Sequence, residues 1–144
     1  MAFYATNSNR LNFICGGSLI SKLHVVTAAH CIQDKRAIEK QLPATSLFFF
    51  GKHNLDDNFE AGYQRASARR FIVHEDWNVD DQVYDADIAI VVLDKQIQFT
   101  EYVRPICLWT RADELDLVVG HTGVVVGTYM YIKDHLTVFI SFNY

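Results

Sequence analysis

The run HVVTAAHC (His24–Cys31) is apolar and β-branched, ends on a titratable ring at His30, and sets Cys31 directly after it. A lone histidine at a strand end is more often structural than catalytic. Here the small residues of TAAHC leave room for the ring. A link from Cys31 to Cys15 would fix the backbone beside it, which a general base requires. A disulfide closing a ~15-residue loop contributes about 3 kcal/mol by the loop-entropy estimate. Asp87, in DADIAIVV, is the second residue of interest. An aspartate opening an apolar strand is usually a solvated end or a cap. This one leads straight into Ile88–Val92, and a carboxylate buried with that strand must be paired or hydrogen-bonded. A neutral imidazole offering a ring N–H suits it. The carboxylate would fix the tautomer and stabilise the imidazolium when it forms.

The elements that must position these residues read as β throughout. Residues 13–20 and 24–28 are short β-rich runs split by SK, and the Gly16–Gly17 pair predicts a bulge or a close backbone approach. Further strands are expected over 44–51, 63–74, 87–94 and 123–132, with a turn-rich loop over 53–62 and one helical turn over 32–40. Residues 110–117, TRADELDL, read as a polar linker. Short strands separated by turn signals predict an all-β barrel or sandwich.

Composition excludes several function classes. The 144 residues are 50% hydrophobic and 21% charged, which is globular and not disordered. A net charge of −4 argues against nucleic-acid and anionic-membrane partners. No apolar run approaches the ~18–20 residues of a membrane span, and residues 1–17 lack the order of a signal peptide. Three cysteines, Cys15, Cys31 and Cys107, leave one free or paired outside the chain. The six histidines show no H-x-x-x-H pair and there is no Cys-x-x-Cys, so no metal and no cofactor is expected. Glu75, Asp76, Asp80, Asp81, Asp85 and Asp87 read as a solvated loop leading to the Asp87 strand, and RASARR as a solvated strand face. No N-x-S/T acceptor occurs.

The segments CGGSLIS, VVTAAHC, DADIAI and VRPICL occur in this order, from about residue 11 to residue 109. Together they resemble the chymotrypsin/trypsin-like serine protease family. The resemblance implies an antiparallel Greek-key β-barrel, the first of two, over residues 1–109, with a linker and a divergent start of the second over 110–144. It implies that His30 is the general base and acid of a Ser-His-Asp triad, that Asp87 orients it, and that Cys15 and Cys31 form the disulfide of the histidine loop. Cys107 matches a cysteine that in many relatives bridges to a segment upstream of the protease domain, as in arthropod clip-domain and clotting-type proteases; the alternative is a free, partly buried thiol. Some relatives hold calcium after a GEHN segment. Here GKHN sets Lys52 in place of a carboxylate, so calcium is not expected.

The sequence also departs from the family pattern. It does not open on an IVGG-like end. The glycine-rich GDSGGP nucleophile segment is absent, and the six serines are Ser8, Ser18, Ser21, Ser46, Ser67 and Ser141. VVVGTYM stands where relatives read GWG. The expectation is therefore a serine endopeptidase by family, acting on a protein or peptide substrate and secreted in its full-length form. The chain itself is expected to be truncated and inactive. The rival is a non-catalytic homologue that binds or regulates. Side chains around Leu108–Trp109 and Val124–Val126 are expected to leave an apolar patch.

Overall fold

The computed structural model describes residues 2–7, 10–33, 46–52, 54, 61–78, 84–108, 110, 122–128 and 137–143. Its strands are β1 (Ala2–Asn7), β2 (Arg10–Gly16), β3 (Ser18–Leu19), β4 (His24–Thr27), β5 (Leu47–Phe50), β6 (Gln64–Val73), β7 (Ala89–Leu93), β8 (Thr122–Thr128) and β9 (Thr137–Asn143). The one helical element among the described residues is a 3-10 turn at Ala29–Cys31. The expected helical turn over 32–40 and loop over 53–62 lie largely outside the described residues, as do residues 111–117 of the linker.

The first seven strands form one antiparallel sheet in the order β2-β1-β5-β6-β7-β4-β3, and β8 and β9 pair separately. β2 and β3 lie at opposite edges, yet only Gly17 separates them in the chain. One residue spans a few ångströms at most, so the two edges meet at that end and the sheet must curl as a barrel does. Thr27 Oγ1 donates to Gly16 C=O at 2.8 Å across this seam. The Gly16–Gly17 pair thus marks the crossing from one edge to the other. The bulge lies nearby, where Phe3 faces Cys15 and Tyr4 faces Phe13, leaving Ile14 as the extra residue.

The core fills the inside of the curl. β7 alternates cleanly, with Ala89, Val91 and Leu93 buried, and β4 adds Val25 and Thr27. β5 does not alternate, because both of its faces are covered. Phe48 and Phe50 are buried in the main core, while Phe49 packs on the other side with Phe13, Leu47 and Tyr63. Each fully buried Phe, Leu or Val side chain contributes about 1.5–3 kcal/mol. β6 turns over midway. Ala66 and Ala68 are buried, but the next residues packed on the core are Phe71 and Val73. The register shift between Ala68 and Arg70 inserts one residue, Arg69, and leaves Arg69 and Arg70 both exposed. The fold is all-β, a curled antiparallel sheet of the trypsin-like barrel kind.

Candidate active site

β4 and β7 run antiparallel with Thr27 opposite Ala89. Carrying that register two residues past the strand ends sets Ala29 opposite Asp87, one residue from His30. The 3-10 turn that follows β4 has Ala29 fully buried beneath it and Ile32 closing it, with Ile32 N–H donating to Ala29 C=O at 2.9 Å. The two alanines therefore let the turn sink into the core while His30, at its centre, stays at the surface. The His30 side chain is 47% exposed and that of Asp87 17%.

Asp87 is aimed at the histidine by a tight local fold. Ile88 N–H donates to Ala86 C=O at 2.7 Å, a three-residue turn centred on Asp87. Ala86 itself lies at φ 53, in the left-handed region that non-glycine residues seldom occupy. Backbone strain beside a functional side chain is a common signature of such sites. From this turn the carboxylate makes two bonds. Its Oδ1 accepts from His30 backbone N–H at 2.8 Å, and its Oδ2 lies 2.7 Å from His30 Nδ1. An ionised carboxylate only accepts, so with a neutral ring Nδ1 carries the proton and Nε2 holds the free lone pair. That is the tautomer a base needs. The edge of the ring meets Tyr84 at a centroid distance of 5.8 Å and an interplanar angle of 82°, and Tyr84 in turn lies 6.4 Å from Trp77. The sequence carried no signal for Tyr84 or for the strain at Ala86.

Cys15, on β2, and Cys31, directly after His30, form a disulfide with a Cα–Cα distance of 6.0 Å. It joins one edge of the sheet to the histidine turn and holds the curl closed beside the ring. Cys31 Sγ is 3.5 Å from His30 Nε2. Among the described residues no serine hydroxyl bonds Nε2. Ser21 Oγ instead pairs with His24 Nδ1 at 2.8 Å and accepts from Leu23 and His24 N–H, a local turn away from the site. Ser46 is buried and Ser67 is held by its backbone to Asp94.

Cys107 is free and exposed. It follows Ile106, whose N–H donates to Leu19 C=O at 2.8 Å and so covers the edge of β3. Lys52 lies over the Phe49 ring at 5.4 Å. Glu75, Asp76 and Asp85 are exposed, while Asp80, Asp81 and the LDDNFE segment lie outside the described residues. Leu108 is exposed, as the expected apolar patch requires; Trp109 and the side chains of Val124–Val126 are outside the described residues. The cluster of soft metal-ligand atoms among the described residues is Cys15, His30 and Cys31, all within 4.8 Å of one another, with both sulfurs engaged in the disulfide.

Known proteins carry the same pattern. The family model described as Trypsin matches residues 1–132. The chain is 37% identical over 128 residues to serine protease gd of Drosophila melanogaster, covering 88% of this chain and 23% of that protein. It is 37% identical over 97 residues to coagulation factor IX of Cavia porcellus, covering 67% of this chain and 31% of that protein. It is 31% identical over 156 aligned positions to phenoloxidase-activating factor 1 of Holotrichia diomphalia, covering 96% of this chain and 41% of that protein. The chain thus spans less than half the length of each of these relatives. A family match over nearly the whole chain, on a curled antiparallel sheet that faces a histidine with an aspartate, decides its kinship: the chain belongs to the trypsin family of serine proteases.

Proposed function

We propose that the chain carries the base half of a serine endopeptidase centre, with His30 as general base and acid and Asp87 as its orienter. The observation that carries the reading is the pair of bonds from Asp87 to His30, at 2.8 Å on the backbone N–H and 2.7 Å on Nδ1. They hold the residue at its backbone N–H and at Nδ1, the ring nitrogen nearer the backbone, and they leave the Nε2 lone pair for a hydroxyl proton. In the reaction this serves, a serine Oγ attacks the scissile carbonyl of a peptide as Nε2 takes its proton. Nε2–H then protonates the leaving amine, and Asp87 stabilises the imidazolium between the two steps. No metal or cofactor is needed for these proton transfers.

The serine and the oxyanion-binding amides are not supplied by a GDSGGP-like segment within the 144 residues. By itself this chain does not complete the cycle; the parent protein does. The Cys15–Cys31 disulfide supports an oxidising, extracellular setting for that parent. The exposure of the free Cys107 thiol supports a bridge to an upstream segment of the parent. Residues 1–109 act as the barrel unit, and the separate pairing of β8 with β9 supports reading 110–144 as a linker and the divergent start of a second barrel. The rival reading is a non-catalytic homologue that binds or regulates; retention of both His30 and Asp87 counts against it, because such a homologue needs neither. The full-length transcript discriminates between them. A GDSGGP-like segment in frame after residue 144 is expected; its absence from the mature message would leave the homologue reading.

A further inference from the structure

We propose that Tyr84 is a positioning residue for His30: its ring, backed by Trp77, holds the imidazole against Asp87. The inference rests on the reading of His30 as the base and adds a group that reading does not use. The need for it comes from exposure. The His30 side chain is 47% exposed, and Asp87 grips its ring at one atom only, Nδ1 at 2.7 Å. The other carboxylate bond goes to the backbone N–H. A ring held by a single hydrogen bond can pivot about it or swing to another rotamer, where water takes over the bond.

Tyr84 closes off that freedom. Its ring and the imidazole stand at 82° with centroids 5.8 Å apart, within the range of about 4.5–7 Å at which edge-to-face aromatic pairs attract. The disulfide bounds the ring at its other nitrogen, with Cys31 Sγ 3.5 Å from Nε2. Tyr84 is itself mostly exposed, so it needs support of its own. Trp77 supplies it, with ring centroids 6.4 Å apart and planes tilted by 31°. Trp77 in turn packs against the main core, and its backbone N–H donates to His74 C=O at 3.1 Å. The core thus reaches an exposed imidazole through two stacked supports.

The backbone explains how one loop delivers two groups to one ring. Asp85 and Ala86 form a turn, with Tyr84 before it and Asp87 after it, and the ends of a four-residue turn lie within about 7 Å of each other. Ala86, at φ 53, bends the chain there, and its N–H donates to Asp85 Oδ1 at 3.1 Å. The strain at Ala86 therefore brings Tyr84 as well as Asp87 to His30. For proton transfer the gain is orientation of the Nε2 lone pair, where a misplacement of ~1 Å can cost on the order of 10²-fold in rate.

The test needs no serine and uses the full 144-residue chain. At alkaline pH, where the ring is neutral, NMR follows the exchange with water of two protons. One is His30 Nδ1–H. The other is the backbone N–H of Ile32, which donates to Ala29 C=O at 2.9 Å in the same turn. Release of the ring from Asp87 exposes the first and not the second. An edge-to-face pair shifts such an equilibrium by about 2- to 12-fold, so Tyr84→Leu should quicken Nδ1–H exchange by that factor and leave Ile32 unchanged. Tyr84→Phe keeps the ring and should exchange at the parental rate. The proposal is overturned if Tyr84→Leu exchanges like the parent, or if Tyr84→Phe exchanges like Tyr84→Leu. It is also overturned if Ile32 N–H quickens as much as Nδ1–H, since Tyr84 would then support the turn and not the ring. In each of these cases a protected Nδ1–H in the parent leaves the Asp87 bond, and the base reading, standing. A parent chain with no protected Nδ1–H would fail that bond and this proposal together.

Discussion

Replacing Asp87 tests the geometry of the site without any need for catalysis. Asp87→Ala removes two charge-assisted hydrogen bonds, at 2.8 and 2.7 Å, from a carboxylate whose side chain is only 17% exposed. Hydrogen bonds to charged groups contribute about 1.5–3 kcal/mol each. The ring partner is 47% exposed, so water replaces part of its bond. The expected cost is then about 2–4 kcal/mol, with the greater share from the backbone N–H. At a urea slope of ~2 kcal/mol/M the midpoint falls by about 1–2 M. Asp87→Asn keeps an acceptor for the backbone N–H and should cost less, about 1–2 kcal/mol. It should also move the ring proton. Nitrogen-15 NMR at alkaline pH, where the ring is neutral, should find Nδ1–H in the parent chain and Nε2–H in the Asn variant. Costs below about 0.5 kcal/mol for both variants, or an Nε2–H ring in the parent, would refute the reasoning.

Three further perturbations probe what surrounds the pair. Gly51 lies at φ 74, and an added Cβ would stand 2.7 Å from Cγ2 of the buried Val103. Gly51→Ala should therefore lose about 2–4 kcal/mol in denaturant unfolding, from left-handed strain and overpacking together. Ala86→Gly relieves the φ 53 strain beside Asp87 and should raise stability by about 0.5–1 kcal/mol by the same assay. Cys15→Ala with Cys31→Ala opens a link across 16 residues and should cost about 3 kcal/mol, with hydrogen exchange quickening first in the histidine turn.

Much of this was legible because periodicity and chemistry agreed. The apolar run of residues 87–94 reads as a strand and the small residues before His30 leave room for its ring, although β7 buries only alternate residues, which five apolar side chains in a row do not reveal. What stayed hidden depends on position in space. The loose alternation of the Tyr63–His74 run conceals a one-residue insertion at Arg69, and local patterning cannot say where a phase slips. The Gly16–Gly17 pair announces a special backbone but not that two sheet edges meet there. Tyr84 reaches His30 across 54 positions of sequence, and an alanine at positive φ has no signature at all. Residues alone left the pairing of the three cysteines open; the curl of the sheet is what brings Cys15 to Cys31.

The most direct test of the central claim is labelling of the full-length parent protein with a serine-directed fluorophosphonate, run beside a His30→Ala variant. Labelling of the parent is expected, with its loss in the variant and none on the 144-residue chain alone. A full-length parent, folded by circular dichroism, that takes no label, or that labels equally without His30, would contradict the assignment of this histidine as the base of a serine endopeptidase.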